Sequence, residues 1–388
     1  MYPKRNIRLL LAVNFLQGLV FYTSIAALYR QAAGLTLFEI GLIESISLVA
    51  SLLLEVPWGV AAERIGYRRT LILCNAVFFV SKLVFWRADS FASFVLERLL
   101  LAVAISGLSG VDTSYLYLSC REEDAQRVFG QYNAFGTAGL LLASFVYAAF
   151  LAGRYRLTAL LTAVAYGAAA LLTLPLTEVR PPKQERQSAL ASFGQSARLL
   201  LKTRGLLPLV LCGALFFETC RMTTVFYSQL QFVRAGFTER AIGMAGVIMS
   251  LAQLSSAKSA SLTERFGQRR FGTAVLLLSA LAFGAMALTA NAALSLLAVL
   301  ALCGAVCLFS PLSSALENRL IVTDDRATAL SVNALLVDGV CIAIDPLFGR
   351  AAEVSLPTAF ALSAALCLAA CALFLAAERA ASFTTSKQ

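Results

Sequence analysis

Apolar positions in this chain run on without interruption, showing neither the alternation of a half-buried strand nor the single stripe of a surface helix. Stretches such as LVLCGALFF (209–217) and AVLLLSALAFGAMAL (274–288) are apolar on nearly every face. A helix that is apolar all round is buried in a large core or crosses a bilayer, and a crossing helix needs roughly 20 such residues. Runs of that kind fall near 7–29, 38–62, 70–87, 90–118, 128–152, 157–177, 206–230, 240–262, 272–290, 293–316, 327–350 and 357–377. The polar breaks between them are short except at about 178–205, which divides the runs six and six. The pattern predicts an all-α membrane protein of twelve transmembrane helices. A bundle over residues 1–177 and a second over 206–388, with its short tail, would be joined by a linker loop at 178–205.

Composition sharpens this picture. Of 388 residues, 59% are hydrophobic and 14% charged, against about 25% charged in an average soluble domain. There is no histidine, which removes histidine bases, histidine proton relays and histidine metal sites. Nine cysteines lie mostly inside apolar runs, Cys303/Cys307 and Cys367/Cys371 among them, with no CxxC spacing. Such thiols behave as small hydrophobes, so neither a metal nor another cofactor is expected. The net charge of +10 does not point to nucleic acid, because the basic residues are scattered between apolar runs. With the N-terminus in the cytoplasm, 21 Lys and Arg fall on the cytoplasmic side and seven opposite. That is a positive-inside bias, and it predicts a multi-pass inner- or plasma-membrane protein with both termini cytoplasmic.

The two halves repeat. Residues 59–69 read GVAAERIGYRR and residues 260–270 read ASLTERFGQRR, in register at an offset of 201. Upstream, GLTLFEIGLIESI (34–46) parallels GFTERAIGMAGVI (236–248) at an offset of 202. Two copies of one orientation make a parallel repeat, so the bundles should be pseudo-symmetric. In the first copy Gly59 permits close helix contact, Glu63 suits the N-terminus of a neighbouring helix, and Gly66 permits a tight reversal. Arg64, Arg68 and Arg69 can pair with acids or lipid phosphates, and a positive-inside anchor would account for them equally. That anchor does not account for the recurrence of Glu and Gly.

The loop resembles that between helices 2 and 3 of the major facilitator superfamily, G-x-x-x-D-[RK]-x-G-x-[RK]-[RK]. Here Gly59, Glu63 in place of Asp, Arg64, Gly66, Arg68 and Arg69 fill it. The second copy supplies Glu264, Arg265, Gly267, Arg269 and Arg270, with Ala260 at the glycine position. Glu55-Val56-Pro57-Trp58-Gly59 and the later RATALS (326–331) resemble a bacterial branch of the same family. The resemblance implies that these loops are a conformational latch, with Asp112 at the cytoplasmic end of helix 4 as a partner for Arg68 or Arg69. It also implies that helices 1, 4, 7 and 10 line a central cavity. Residues 130–146 carry no Gly-Pro, unlike the helix-5 element of the family's drug antiporters.

Eleven ionisable residues fall within the predicted spans: Glu44, Glu55, Glu97, Asp112, Glu218, Asp338, Asp345, Lys82, Arg98, Arg221 and Lys258. Each costs roughly 2.5–3.5 kcal/mol at a helix centre, so they should face a cavity or one another. The resemblance assigns Asn14, Gln17 and Tyr22 on helix 1, Arg98 on helix 4 and Glu218 with Arg221 on helix 7 to the cavity. Gln17 and Glu218 are related by the 201 offset, as matched midplane sites require. Glu218 and Arg221 also form an i,i+3 pair that can neutralise itself. Lys82 and Lys258 have stems long enough to snorkel. Asp338 is expected, after Glu218, to exchange protons, since a carboxylate in low dielectric is costly when charged. Gly107, Gly110, Gly136 and Gly139 suit close packing.

These features predict a monomeric secondary transporter, not an enzyme, that moves a small organic solute across the bilayer by alternating access. No G-x-x-x-x-G-K-[ST] is present, so ATP is not the expected energy source, and H⁺ is the expected coupling ion. The in-span charges carry an acidic excess of three, which tilts the expectation toward efflux of a lipophilic or cationic compound. Uptake of a metabolite is the competing reading. A membrane sensor or scaffold on the same fold is a third, and it would call for a large soluble appendage.

Overall fold

The computed structural model describes residues 4–121, 124–179, 205–252, 259–320 and 326–385. Among them, ten helical segments are long and apolar enough to cross a membrane. Two expected spans lie outside those ten. Residues 327–350 form part of an unbroken helix, Arg326–Val354. The span at 240–262 is described as Glu239–Ala252 and Ser259–Phe266, on either side of residues outside the described set. Lys258 lies in that gap, as do Arg180 and the rest of the linker to residue 204 in another.

Contacts divide the chain into two compact units, Met1–Lys183 with Thr238–Ser250, and Gln184–Phe237 with Leu251–Gln388. The division at 183/184 falls inside the expected linker, and residues 238–250 group with the first unit. In the first unit the helices are α1 (Lys4–Gly18), α2 (Ala26–Ala32), α3 (Leu37–Ile65), α4 (Tyr67–Arg87), α5 (Phe91–Leu108), α6 (Val111–Ser119), α7 (Ala125–Val146) and α8 (Tyr155–Thr173). Then follow α9 (Leu206–Met222), α10 (Ser228–Arg234), α11 (Glu239–Ala252), α12 (Ser259–Phe266), α13 (Gln268–Leu288), α14 (Ala292–Leu320), α15 (Arg326–Val354) and α16 (Leu356–Thr385).

The repeat read from sequence recurs in the backbone. Gly66 has φ 93° and ψ 148°, and its counterpart Gly267 has φ 79° and ψ 146°. Both are conformations essentially reserved for glycine, and each starts the following helix. Packing repeats as well. In the first unit α1 packs on α7 and α8, α4 on α5 and α8, and α3 on α5. In the second, α9 packs on α15 and α16, α13 on α14 and α16, and α12 on α14. Thr36 starts α3 with a capping box in which its hydroxyl accepts from the Glu39 N–H and Glu39 accepts from the Thr36 N–H. Large apolar side chains such as Leu53, Phe150, Leu171 and Leu281 point outward, where a bilayer would take them.

Small residues set the closest crossing. A Cβ on Gly18 would meet the Gly136 carbonyl, and one on Gly139 would meet the Phe15 carbonyl, so α1 and α7 touch through backbone. Gly107 likewise leaves room for Cys74 and Trp58. Gly110 departs from the packing expectation. It has φ 75° with nothing near its open side, and it breaks the expected span 90–118 into α5 and α6.

Candidate functional site

The predicted first span is also broken. Between α1 and α2 the chain leaves the α-helix at Leu19 and passes through a short 3₁₀ turn, Thr23–Ile25. Backbone groups freed inside a membrane need internal partners, and α8 supplies them. The Phe21 N–H donates to Thr162 Oγ1 at 3.0 Å, and the Tyr166 hydroxyl donates to the Gln17 carbonyl at 3.0 Å. In the second unit, α9 loosens into a π-helical turn at Thr223–Tyr227. The 201 offset maps residues 22–26 onto 223–227, so both irregularities occur at the same point of the repeat. Such turns mark functional positions in helices more often than chance, and Thr224 fills one freed carbonyl by donating to Cys220 O at 2.8 Å.

Around the first break lies a buried charge network. Arg30 on α2 donates to Glu44 on α3 at 3.1 Å, and Arg98 on α5 pairs with the same carboxylate. Lys82 on α4 sits 3.0 Å from the Tyr22 hydroxyl and 3.4 Å from Glu97 on α5. Arg98 Nε lies 3.7 Å from Glu97. Arg30, Glu44, Lys82 and Glu97 are each less than 10% exposed. Tyr22 stacks on Phe85 at a centroid distance of 4.1 Å, with Tyr29 on Phe85 at 4.6 Å. Lys82 therefore does not snorkel: its ammonium is turned inward to a phenol and a carboxylate.

The other expected cavity groups on α1 also have partners within their own unit. Asn14 donates to the Tyr132 carbonyl at 2.6 Å, tying α1 to α7. Gln17 donates to Asn75 Oδ1 at 2.8 Å. Tyr22 is the one that joins the ionic network.

In the second unit the Glu218–Arg221 pair forms as its spacing implied, with Arg221 Nε 2.9 and 3.0 Å from the two Glu218 oxygens. Arg221 also donates to Asp345 on α15 at 3.2 Å. Glu218 is 5% and Asp345 0% exposed, whereas the Arg221 side chain is 37% exposed. Two carboxylates from two helices thus converge on one guanidinium that has an open side, next to the π turn. Asp338 lies half-buried on the same helix as Asp345.

The repeated loops are arranged differently from expectation. Asp112 does not pair with Arg68 or Arg69 in the contacts it makes. It accepts from the Tyr132 hydroxyl at 3.2 Å and from the Thr113 N–H at 2.7 Å. The physical reason is the break at Gly110, which starts α6 at Val111 and puts Asp112 in a first turn where a carboxylate serves the helix N-terminus. Arg68 turns instead to the end of α8: its N–H donates to Glu178 Oε1 at 3.2 Å and its guanidinium to Leu174 O at 2.9 Å. Arg64 and Arg69 are exposed, as are Glu264, Arg265, Arg269 and Arg270. Arg265 lies over the Phe266 ring at 5.4 Å. Gly59 and Glu63 lie on α3, but their surroundings fall outside the described residues.

Sequence reasoning missed Arg30, Glu178 and the grouping of Glu44, Lys82 and Glu97 around Arg98. Arg30 sits one residue beyond the predicted first span. No i,i+3 or i,i+4 spacing links these residues: apart from the adjacent Glu97 and Arg98 on α5, each partner comes from a different helix. Glu55, in contrast, is exposed. The two clusters together hold four acidic and four basic side chains, so within them there is no acidic tilt, while Asp112 and Asp338 lie outside them half-buried.

The sequence profile of the Major Facilitator Superfamily matches residues 9–261. No curated relative matches the sequence. Among solved structures, the nucleoside transporter NupG is similar at a TM-score of 0.79 and 18% identity, covering 96% of this chain and 99% of that one. A bacterial homologue of the human lysosomal transporter Spinster, in an inward-facing and occupied conformation, reaches 0.74 at 16% identity, covering 98% and 97%. A D-xylose-proton symporter reaches 0.70 at 13% identity, covering 95% and 97%.

Proposed function

Since the chain belongs to the major facilitator superfamily, we propose that it is a proton-coupled secondary transporter that moves a small organic solute by alternating access. The observation that carries this reading is the sharing of Arg221 by Glu218 and Asp345. A proton taken up at one carboxylate leaves the ion pair at the other intact. The partner guanidinium is therefore never stranded, and stranding a buried charge is what makes breaking such pairs costly. The open side of Arg221 gives solute or water a way to reach the cluster. With no histidine in the chain, carboxylates are the natural proton carriers.

In this reading the solute is polar. The equal number of acids and bases in the two clusters supports an uncharged or zwitterionic compound as well as a cation. Nucleosides and D-xylose, named for similar structures, set the first candidates, and their direction of movement would be uptake with protons. Efflux of a cationic compound is the alternative that the same site would serve. The cell membrane and cytoplasmic termini remain part of the proposal through the positive-inside charge distribution. The test is a screen in proteoliposomes with an imposed pH gradient, using labelled nucleosides, pentoses, dipeptides and quaternary amines. Gradient-dependent accumulation of one class supports the reading. Equal distribution of all classes, with and without the gradient, contradicts it.

A further inference from the structure

Residues 238–250 belong to the first unit although the chain on either side of them belongs to the second, so what holds them there is local to α11. Its first turn is gripped by two phenols. The Tyr147 hydroxyl donates to Glu239 Oε2 at 3.1 Å, and the Tyr155 hydroxyl donates to Oε1 at 2.8 Å. Tyr147 opens a π-helical turn, Tyr147–Leu151, at the end of α7, and Tyr155 opens α8. Further along α11, glycines let backbones approach closely. A Cβ on Gly243 would meet Ala148 at 2.8 Å and the Tyr147 ring at 2.9 Å, and one on Gly246 would meet Ser24 Oγ. Ser24 is buried in the 3₁₀ turn that breaks the first span, two residues from Tyr22 of the charge network.

A first-turn glutamate ordinarily serves its own helix N-terminus. The repeat argues otherwise for Glu239. At the 202 offset Thr238 matches Thr36, and each hydroxyl accepts from the N–H three residues on, of Ala241 at 3.3 Å and of Glu39 at 3.1 Å. In α3 the carboxylate that closes the capping box is Glu39. Its counterpart in α11 is Ala241, while the acid stands at 239, where α3 has Leu37. Both oxygens of Glu239 accept from other elements instead.

We propose that the start of α11 is a releasable lid over the break in the first span, with Glu239, Tyr147 and Tyr155 as its clasp. In the twelve-span order the end of α7, the start of α8 and the start of α11 all fall on the side opposite the termini. Closed, the lid covers the turn at Ser24; released, it opens that turn to the outer solution. The clasp suits release. Glu239 and Tyr155 are half-buried, so water can replace the phenols on the carboxylate, whereas the buried Lys82–Glu97 pair has no such substitute. The glycine contacts part without withdrawing interlocked side chains. The lid rests on the alternating-access reading for its purpose, and its test needs no solute.

The test measures how fast a membrane-impermeant maleimide, added outside right-side-out vesicles that carry the full chain, labels S24C. Labelling is read peptide by peptide by mass spectrometry, and the native Cys74, buried in the same unit, reports global unfolding. S24C should label slowly, yet faster than Cys74. Adding Y147F/Y155F, which removes both donors and keeps both rings, should speed labelling of S24C about tenfold, a factor equivalent to 1.4 kcal/mol, and leave Cys74 unchanged. Adding G243A, whose methyl has no room against Ala148 and Tyr147, should do the same through packing, and it stands in where Y147F/Y155F does not fold. An S24C rate unchanged in these variants, or no faster than Cys74 in every background, would overturn the proposal. A rise matched by Cys74 would also overturn it, assigning the effect to unfolding. None of these outcomes bears on proton exchange at Arg221, so failure of the lid leaves the transport reading standing.

Discussion

Lys82 and Arg350 show how differently two ion pairs weigh in one chain. Lys82 and Glu97 are both buried, while the Arg350 side chain is 74% exposed beside Glu353. Removing one partner of a buried pair typically costs about 3–5 kcal/mol, because the other charge is left behind. An exposed pair contributes about 0–1 kcal/mol. K82M should therefore lower the thermal unfolding midpoint sharply in detergent, and R350A should leave it nearly unchanged. K82M/E97M, which strands neither charge of the pair, should recover much of the loss. Equal midpoints for K82M and R350A would show that the network carries no stability. The residue types of this network were legible in the sequence as costly charges within apolar spans, and the Glu218–Arg221 pair was legible from its spacing. The partners of Arg98 and the role of Asp345 were not, because pairing between helices depends on rotations about each axis that no local pattern records.

Among the elements, the two repeated loops share one backbone shape but differ in surroundings. A side chain on Gly66 would be strained by its positive φ and would also press on the Glu178 carboxylate at about 3.0 Å. Gly267 has the same strain and nothing within 4 Å. Strain of this kind costs of order 1–3 kcal/mol, so G267A should destabilise by about that amount and G66A by more, read as unfolding midpoints. A latch biases conformational exchange and leaves the solute site alone. E178A, which removes the acceptor of the Arg68 backbone N–H at the start of α4, should, if the loop acts as a latch, slow transport while changing equilibrium solute binding by no more than about threefold, well short of the factor of 10 that 1.4 kcal/mol represents. A loss of binding as large as that of E218Q would argue that this loop touches solute. The positions of most helices were legible from run length alone, and the reversal glycines from the repeat. The breaks at Leu19 and Gly110 were not, since the apolar run continues across them and the side chains that satisfy the freed backbone at Leu19, Thr162 and Tyr166, lie more than a hundred residues away in the chain.

For the whole molecule, each unit packs its helices in the same pairs, which is what a duplicated six-helix plan would produce. The repeat was legible because it carries unusual residues at fixed offsets, whereas the grouping of residues 238–250 with the first unit has no sequence signal. The charge bias across the loops predicts that a reporter fused after Gln388 lies in the cytoplasm, and an active alkaline phosphatase fusion there would overturn that topology. In the proposed transport cycle, Glu218 and Asp345 exchange a proton over Arg221. The most direct measurement compares wild type, E218Q and D345N in proteoliposomes, following solute accumulation under an imposed pH gradient beside solute exchange without one. Both variants should lose gradient-driven accumulation, and at least one should retain exchange. Accumulation against the solute gradient by both variants, driven by the pH gradient alone, would contradict that cycle.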